Sequence, residues 1–164
     1  MTDVTVYYLE MLNKNQLNAT AVVSDLVITE AKIKEYRFNR FLYCLVGEAW
    51  QWHDKLNDSD SSWKTYAERD NLRTWVAYYE GAIAGYFELE MSDDQEVEIK
   101  YFGLAPRFIG KGLGGYLLTY AIQQAWDVCN AKRVWVHTCS LDHPSALANY
   151  QARGLVLYHQ EVEQ

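Results

Sequence analysis

Apolar and polar positions along the chain follow different periods in different stretches, and the periods predict its elements. In VTVYYLEM, Val4 to Met11, β-branched and aromatic residues predominate and predict a strand. A second strand is predicted near Leu26 to Thr29. Within KIKEYRFNRFLYCLVGEAW the residues Phe38, Phe41, Leu42, Leu45 and Val46 recur at helical spacing. DSDSSW then offers capping residues for a short second helix ending near Glu68. From Leu72 the period becomes two. LRTWVAYYEG and AIAGYFELEM read as strands joined at Glu80-Gly81, a tight-hairpin signal. SDDQ is the next turn and EVEIKYFGL a third strand, so residues 72 to 104 are expected to form an antiparallel meander.

Between Leu113 and Cys129 the apolar positions 113, 117, 118, 121, 122, 125, 126 and 129 make one helical stripe. KRVWVHTC follows as a strand, and a helix bridging it from the meander requires the two strands to be parallel. The only prolines, Pro106 and Pro144, stand where elements are expected to begin. Pro144 suits the first turn of PSALANYQAR and Gly154 its end, before a last strand in LVLYH. The order predicts an α/β domain, with a mixed sheet built from a meander and a βαβαβ unit.

Composition narrows the class. A chain of 164 residues, with no repeat, linker or low-complexity tract, is expected to fold as one domain over residues 1–164. Its formal net charge of −7, with no basic patch in the sequence, argues against a nucleic-acid partner. Three cysteines, Cys44, Cys129 and Cys139, lack paired spacing and read as free thiols of a reducing compartment. The start, Met1-Thr2-Asp3, has no signal-peptide pattern, and no apolar run reaches membrane-spanning length. The expected location is the cytoplasm, with no membrane partner.

One stretch conflicts with its surroundings. RFIGKGLGGYLL places four glycines directly before an apolar helix, where glycine costs roughly 1 kcal/mol against alanine. A glycine-rich loop running from a strand into a helix can turn its amides toward phosphate oxygens, with the helix N-terminus adding positive charge. Gly110, Gly112 and Gly115 fit the G-x-G-x-x-G spacing of dinucleotide-binding folds. However, Leu104 to Ile109 separate the first glycine from its strand, and the acidic residue expected on the next strand is missing. The nucleotide-hydrolase loop also fails, because Ala105 and Gly112 stand where Gly and Ser/Thr are needed.

Arg107, Gly110 and Gly112 instead spell Arg-x-x-Gly-x-Gly. With VEIKYFGLAP before it and ALANYQARGL after the next strand, the chain resembles the GNAT superfamily of N-acetyltransferases over about residues 72 to 158. The resemblance implies the GNAT fold, a mixed central sheet flanked by helices, and acetyl-CoA as co-substrate. It implies that the coenzyme is held by Phe102, Gly103 and Leu104 at the strand end, and by the loop residues Arg107, Phe108, Ile109, Gly110, Lys111, Gly112, Leu113, Gly114 and Gly115. His143 joins this set, although it stands where the family pattern Asn-x-x-Ala-x-x-x-Tyr-x-x-x-Gly-Phe has Asn; Leu155 replaces its Phe.

Acetyl transfer to an amine requires an uncharged nucleophile, a stabilised oxyanion and a proton for the leaving thiolate. In the family pattern Tyr150 falls at the acid, and Glu98 resembles the position of the base in the family's histone acetyltransferases. Each also has a plainer reading, Tyr150 as a packing residue and Glu98 as one acid of a solvated strand face. His137 and Cys139 share a strand face and raise a covalent route, which the resemblance does not favour. Those two with Asp142 and His143 lack a strong zinc spacing, so no metal is expected. The expected activity is direct transfer from acetyl-CoA to a primary amine on a small molecule or peptide. The acceptor is expected against the first two helices, where Tyr36, Tyr43, Trp50, Trp52 and Trp63 cluster. A non-catalytic acyl-CoA sensor on the same fold is the alternative. Self-association into a homodimer is left open.

Overall fold

The computed structural model describes residues 3–50 and 52–163. Met1 and Thr2, on which the reading of the chain start rests, lie outside the described residues, as do Gln51 and Gln164. In chain order the strands are β1 (Val4–Met11), β2 (Leu26–Glu30), β3 (Leu72–Tyr79), β4 (Ala82–Met91), β5 (Glu96–Leu104), β6 (Arg133–Cys139) and β7 (Val156–Glu163). The helices are α1 (Tyr36–Gly47), α2 (Asp60–Ala67), α3 (Gly114–Asp127) and α4 (Ala146–Ala152).

Local chemistry sets most boundaries. The Glu35 carboxylate accepts the Arg37 N–H at the start of α1, and Ser59 accepts the Ser62 N–H at 3.1 Å to start α2. The β3–β4 hairpin turns at Glu80 and Gly81, both left-handed (φ 48° and 85°), which matches the twist of the strands it joins. β3, β4 and β5 pair antiparallel as the meander. Phe41 is a correction to the helical stripe read for α1. It is 52% exposed, because Leu42, Tyr43 and Val46 define the buried face.

The seven strands form one sheet in the order β2-β3-β4-β5-β6-β1-β7. Leu117, Leu118, Ala121, Ile122 and Ala125 of α3 pack with Trp75, Phe87, Val97, Ile99, Val134 and Val136 in the main core. Leu42 and Val46 of α1 pack with Val76 and Tyr86, residues of opposite strand parity, in a second core. The βαβαβ unit is present with one departure from the simple reading. β1 lies between β6 and β7 and pairs antiparallel with both, so the last strand meets the first strand rather than β6.

Glu88 in β4 is 1% exposed and points between α1, α2 and the sheet. It accepts hydrogen bonds from the Asn39 amide at 2.9 Å and from the Tyr66 hydroxyl, while the same Asn39 nitrogen donates to Thr74. Burial raises its pKa, and these two donors oppose the rise. Asn39→Ala removes one donor from a buried carboxyl, and is expected to lower unfolding free energy by about 2 kcal/mol. Urea unfolding of the two proteins measures it.

Two features of β5 shape the site. Glu88 opposes Tyr101 and Leu89 opposes Ile99, which leaves Lys100 as a bulge. The bulge resets strand parity, so Phe102 and Leu104 join the main core with Val97 and Ile99. β5 and β6 are parallel but paired only from Glu96↔Arg133 to Glu98↔Trp135, and beyond that they diverge. Parallel strands that part at their C-terminal ends leave a crevice of the kind where α/β folds bind ligands.

Candidate active site

The crevice opens into a cavity of about 490 Å³, lined by the end of β5 (Phe102, Gly103, Leu104), by Ile109, Gly110 and Gly112 to Gly115, and by His143 and Tyr150. Pro106 begins a one-turn helix over Pro106–Phe108, after which the chain bends through Gly110 (φ 85°) and Gly112 (φ 76°). A Cβ at either glycine would meet nothing within 4 Å. Left-handed backbone is therefore what these two positions require, and the space beside them is open. α3 starts at Gly114, with no side-chain cap and no acidic residue in its first turn. Arg107 and Lys111 are exposed beside it, and neither forms an ion pair among the described residues. In a chain of net charge −7, an open loop of amides at an uncapped helix N-terminus with two unpaired cations fits a polyanion.

The sequence-predicted residues do not all present themselves in the same way. Phe108 is buried in the core against Tyr79, so only its backbone remains available to a ligand. Gly115 faces Thr20 and Arg153, each within about 3.1 Å of where a Cβ would lie, and admits close packing as well as lining the cavity. The Leu104 amide faces the gap, because the Ala105 N–H is bonded to Ala84 O at 2.7 Å and successive strand amides alternate. His143 lines the cavity with its ring edge-on to Trp50 at 4.7 Å, and its Nδ1 accepts the Ser145 N–H at 2.9 Å. That bond serves the turn into α4, which starts at Ala146, two residues beyond Pro144.

A second cavity of about 410 Å³ lies against β1, the bulge of β5, and β6. Trp50, Trp52, Phe102, Asp142 and Tyr150 line both cavities. Tyr150 is thus at the common wall, 4% exposed, with its ring 6.0 Å from that of Phe102. Burial, with a smaller contribution from the Asp142 charge, pushes its phenol well above the usual tyrosine range. Of the aromatic cluster read as the acceptor's neighbourhood, Trp50 and Trp52 line this second cavity. Tyr43 and Trp63 are buried in an edge-to-face stack with Tyr101.

Glu98 lines neither cavity. It is 7% exposed and lies behind His137, whose Nδ1 is 3.3 Å from Glu98 Oε2, while Lys100 Nζ is 3.7 Å from Oε1. His137 and Cys139 do line the second cavity. Asp142 is engaged in its own turn, accepting from Thr138 Oγ1 and from the His143 N–H, each at 2.9 Å. Among the described residues no three His, Cys, Asp or Glu side chains converge as a metal site.

Asn149 and Tyr8 are among the lining residues that escape a sequence reading. Asn149 lines the first cavity and donates to Gly114 O at 3.2 Å, tying α4 to the loop. Its position three residues after Ala146 on one helix face was the available signal. Tyr8 lines the second cavity opposite His137. Its only signal would have been the pairing of β1 with β6, which no local pattern records.

Residues 33–155 match the acetyltransferase (GNAT) family. No curated protein is found similar to the chain in sequence. Among solved structures, the GCN5-related N-acetyltransferase of Sphaerobacter thermophilus superposes with a TM-score of 0.73 at 12% identity, over 99% of this chain and 51% of that one. The GCN5-related N-acetyltransferase of Kribbella flavida gives 0.69 at 14% identity, over 96% and 56%. An aminoglycoside acetyltransferase from an uncultured soil metagenomic sample, in complex with trehalose, gives 0.64 at 17% identity, over 81% and 90%. The chain spans a little over half the length of the first two, and at these identities the likeness is one of fold.

Proposed function

The chain belongs to the GNAT acetyltransferase family, and on that premise we propose that it transfers an acetyl group from acetyl-CoA to a primary amine by direct attack. One observation carries the reading: Tyr150, buried and protonated, forms the wall between an anion-suited cavity and a second cavity. When bound, the coenzyme supplies an activated acetyl thioester. Residues 108 to 115 hold its phosphates through backbone amides and the α3 N-terminus. The Leu104 amide faces the position where charge develops on the carbonyl oxygen. Tyr150 gives its proton to the departing thiolate, and the amine enters from the second cavity, between Trp52 and β6. Deprotonation of the amine falls to the Glu98 side of the gap. Three unpaired thiols, Cys44, Cys129 and Cys139, suit a reducing compartment, the cytoplasm.

Calorimetric titration with acetyl-CoA and with NADH tests the donor. Saturable binding of the first and none of the second is expected. The acceptor follows from a panel of free amino acids, spermidine, an aminoglycoside and a lysine peptide, with release of CoA thiol as the readout. Binding without thiol release from any amine would favour the sensor reading. Failure to bind acetyl-CoA would end both.

A further inference from the structure

We infer that His137 takes the proton from the acceptor amine, and that Glu98 acts through it as a positioning residue. The inference rests on the acyl-transfer reading and assigns a role to a side chain that reading leaves unused.

The geometry separates the two groups by access. Glu98 is 7% exposed and absent from the lining of both cavities, so an amine in either does not meet it directly. The His137 side chain is 45% exposed and lines the second cavity, which it shares with Tyr150. The Glu98 oxygen turned toward it, Oε2, is buried with no aligned hydrogen-bond partner among the described residues. A buried acceptor left unmatched is costly, and a donor-capable atom, His137 Nδ1, lies 3.3 Å from it. Bonds of this kind commonly shorten and align only when reactants are in place. The other oxygen, Oε1, has its own cation in Lys100, which also lies 3.8 Å from Glu90. Thus Oε2 is free to fix the imidazole.

A carboxylate at Nδ1 selects the tautomer with hydrogen on Nδ1 and leaves Nε2 as a bare acceptor for the cavity. The ring is further held between Tyr8, at 5.8 Å, and Trp135, at 6.1 Å. Around it stand Glu98 and Lys100 from β5, Cys139 on its own strand, and His159 and Glu161 from β7, which reach it only through Tyr8. In the step, Nε2 takes one proton from the ammonium of the acceptor and passes it to solvent. The neutral amine forms the C–N bond as the C–S bond breaks. The thiolate takes the Tyr150 proton, and the proton shed by the new amide nitrogen restores the phenol.

Two measurements decide it. Two-bond proton–nitrogen spectra of histidine-labelled protein, with His137 assigned through His137→Gln, should show hydrogen on Nδ1 at a pH where the ring is neutral. Glu98→Ala should move it toward the Nε2–H form that a free histidine side chain prefers. An Nε2–H ring in the unaltered protein overturns the inference. In turnover, with the panel amine that releases thiol fastest, His137→Gln should lower kcat by about a hundredfold or more, with calorimetric affinity for acetyl-CoA unchanged. Wild-type turnover in His137→Gln, while the unaltered protein still binds and cleaves acetyl-CoA, overturns this inference alone. An unaltered protein that does neither overturns the acyl-transfer reading, and this inference with it.

Discussion

Gly112→Asp is expected to abolish acetyl-CoA binding in a protein that still folds. Aspartate tolerates left-handed backbone better than most residues, so φ 76° costs it of order 1 kcal/mol. Its side chain would extend into space where nothing lies within 4 Å of the Cβ, beside amides that the wild type leaves open. There a carboxylate fills the phosphate position and repels it, and like charges brought together cost several kcal/mol. Calorimetry should show affinity lower by at least about a hundredfold, with thermal unfolding close to that of the wild type. Gly112→Asn, of nearly the same shape but uncharged, should lose less and so separates charge from volume. Unchanged affinity in a folded Gly112→Asp protein would remove the loop from the site.

Tyr150→Phe should lower turnover by about a hundred- to a thousandfold, the range of a lost general acid, and leave acetyl-CoA affinity nearly unchanged. The ring is what packs against Phe102, and phenylalanine keeps it. The hydroxyl, protonated at neutral pH as in any tyrosine and held more tightly to its proton by burial, is the group removed. A fall in kcat with constant affinity identifies a group acting at the transition state. A fall in affinity with constant kcat would identify a binding residue. If neither moves, the hydroxyl is dispensable and the thiolate leaves as such.

The meander, the glycine loop and Tyr150 were legible in the sequence because each is recorded locally. Period-two alternation, glycines at a strand-to-helix junction and a fixed helical spacing all lie within about a dozen residues. Two features were not recorded that way. The bulge at Lys100 shifts parity within β5, where the alternation of Glu96 to Lys100 runs into the apolar pair Tyr101-Phe102, and no local pattern says which of that pair shares a face with Val97. The order β6-β1-β7 joins residues more than a hundred positions apart, and with it came Tyr8 opposite His137. Glu98 shows the limit most sharply. Its place on the strand was readable, but its burial behind His137 depends on how β5 and β6 meet at Glu98↔Trp135.

The insertion of β1 between β6 and β7 also makes the closing of the sheet a long-range event. Met11 pairs with Val134 and Val4 with Glu163, so neither edge of β1 is satisfied until strands more than a hundred residues further along the chain are in place. Contacts this distant in sequence are slow to form. Until they do, VTVYYLEM is an unpaired edge rich in valine and tyrosine, the kind of segment that invites pairing with another chain. The wall that Tyr8 contributes to the second cavity therefore depends on the most sequence-distant pairings in the sheet.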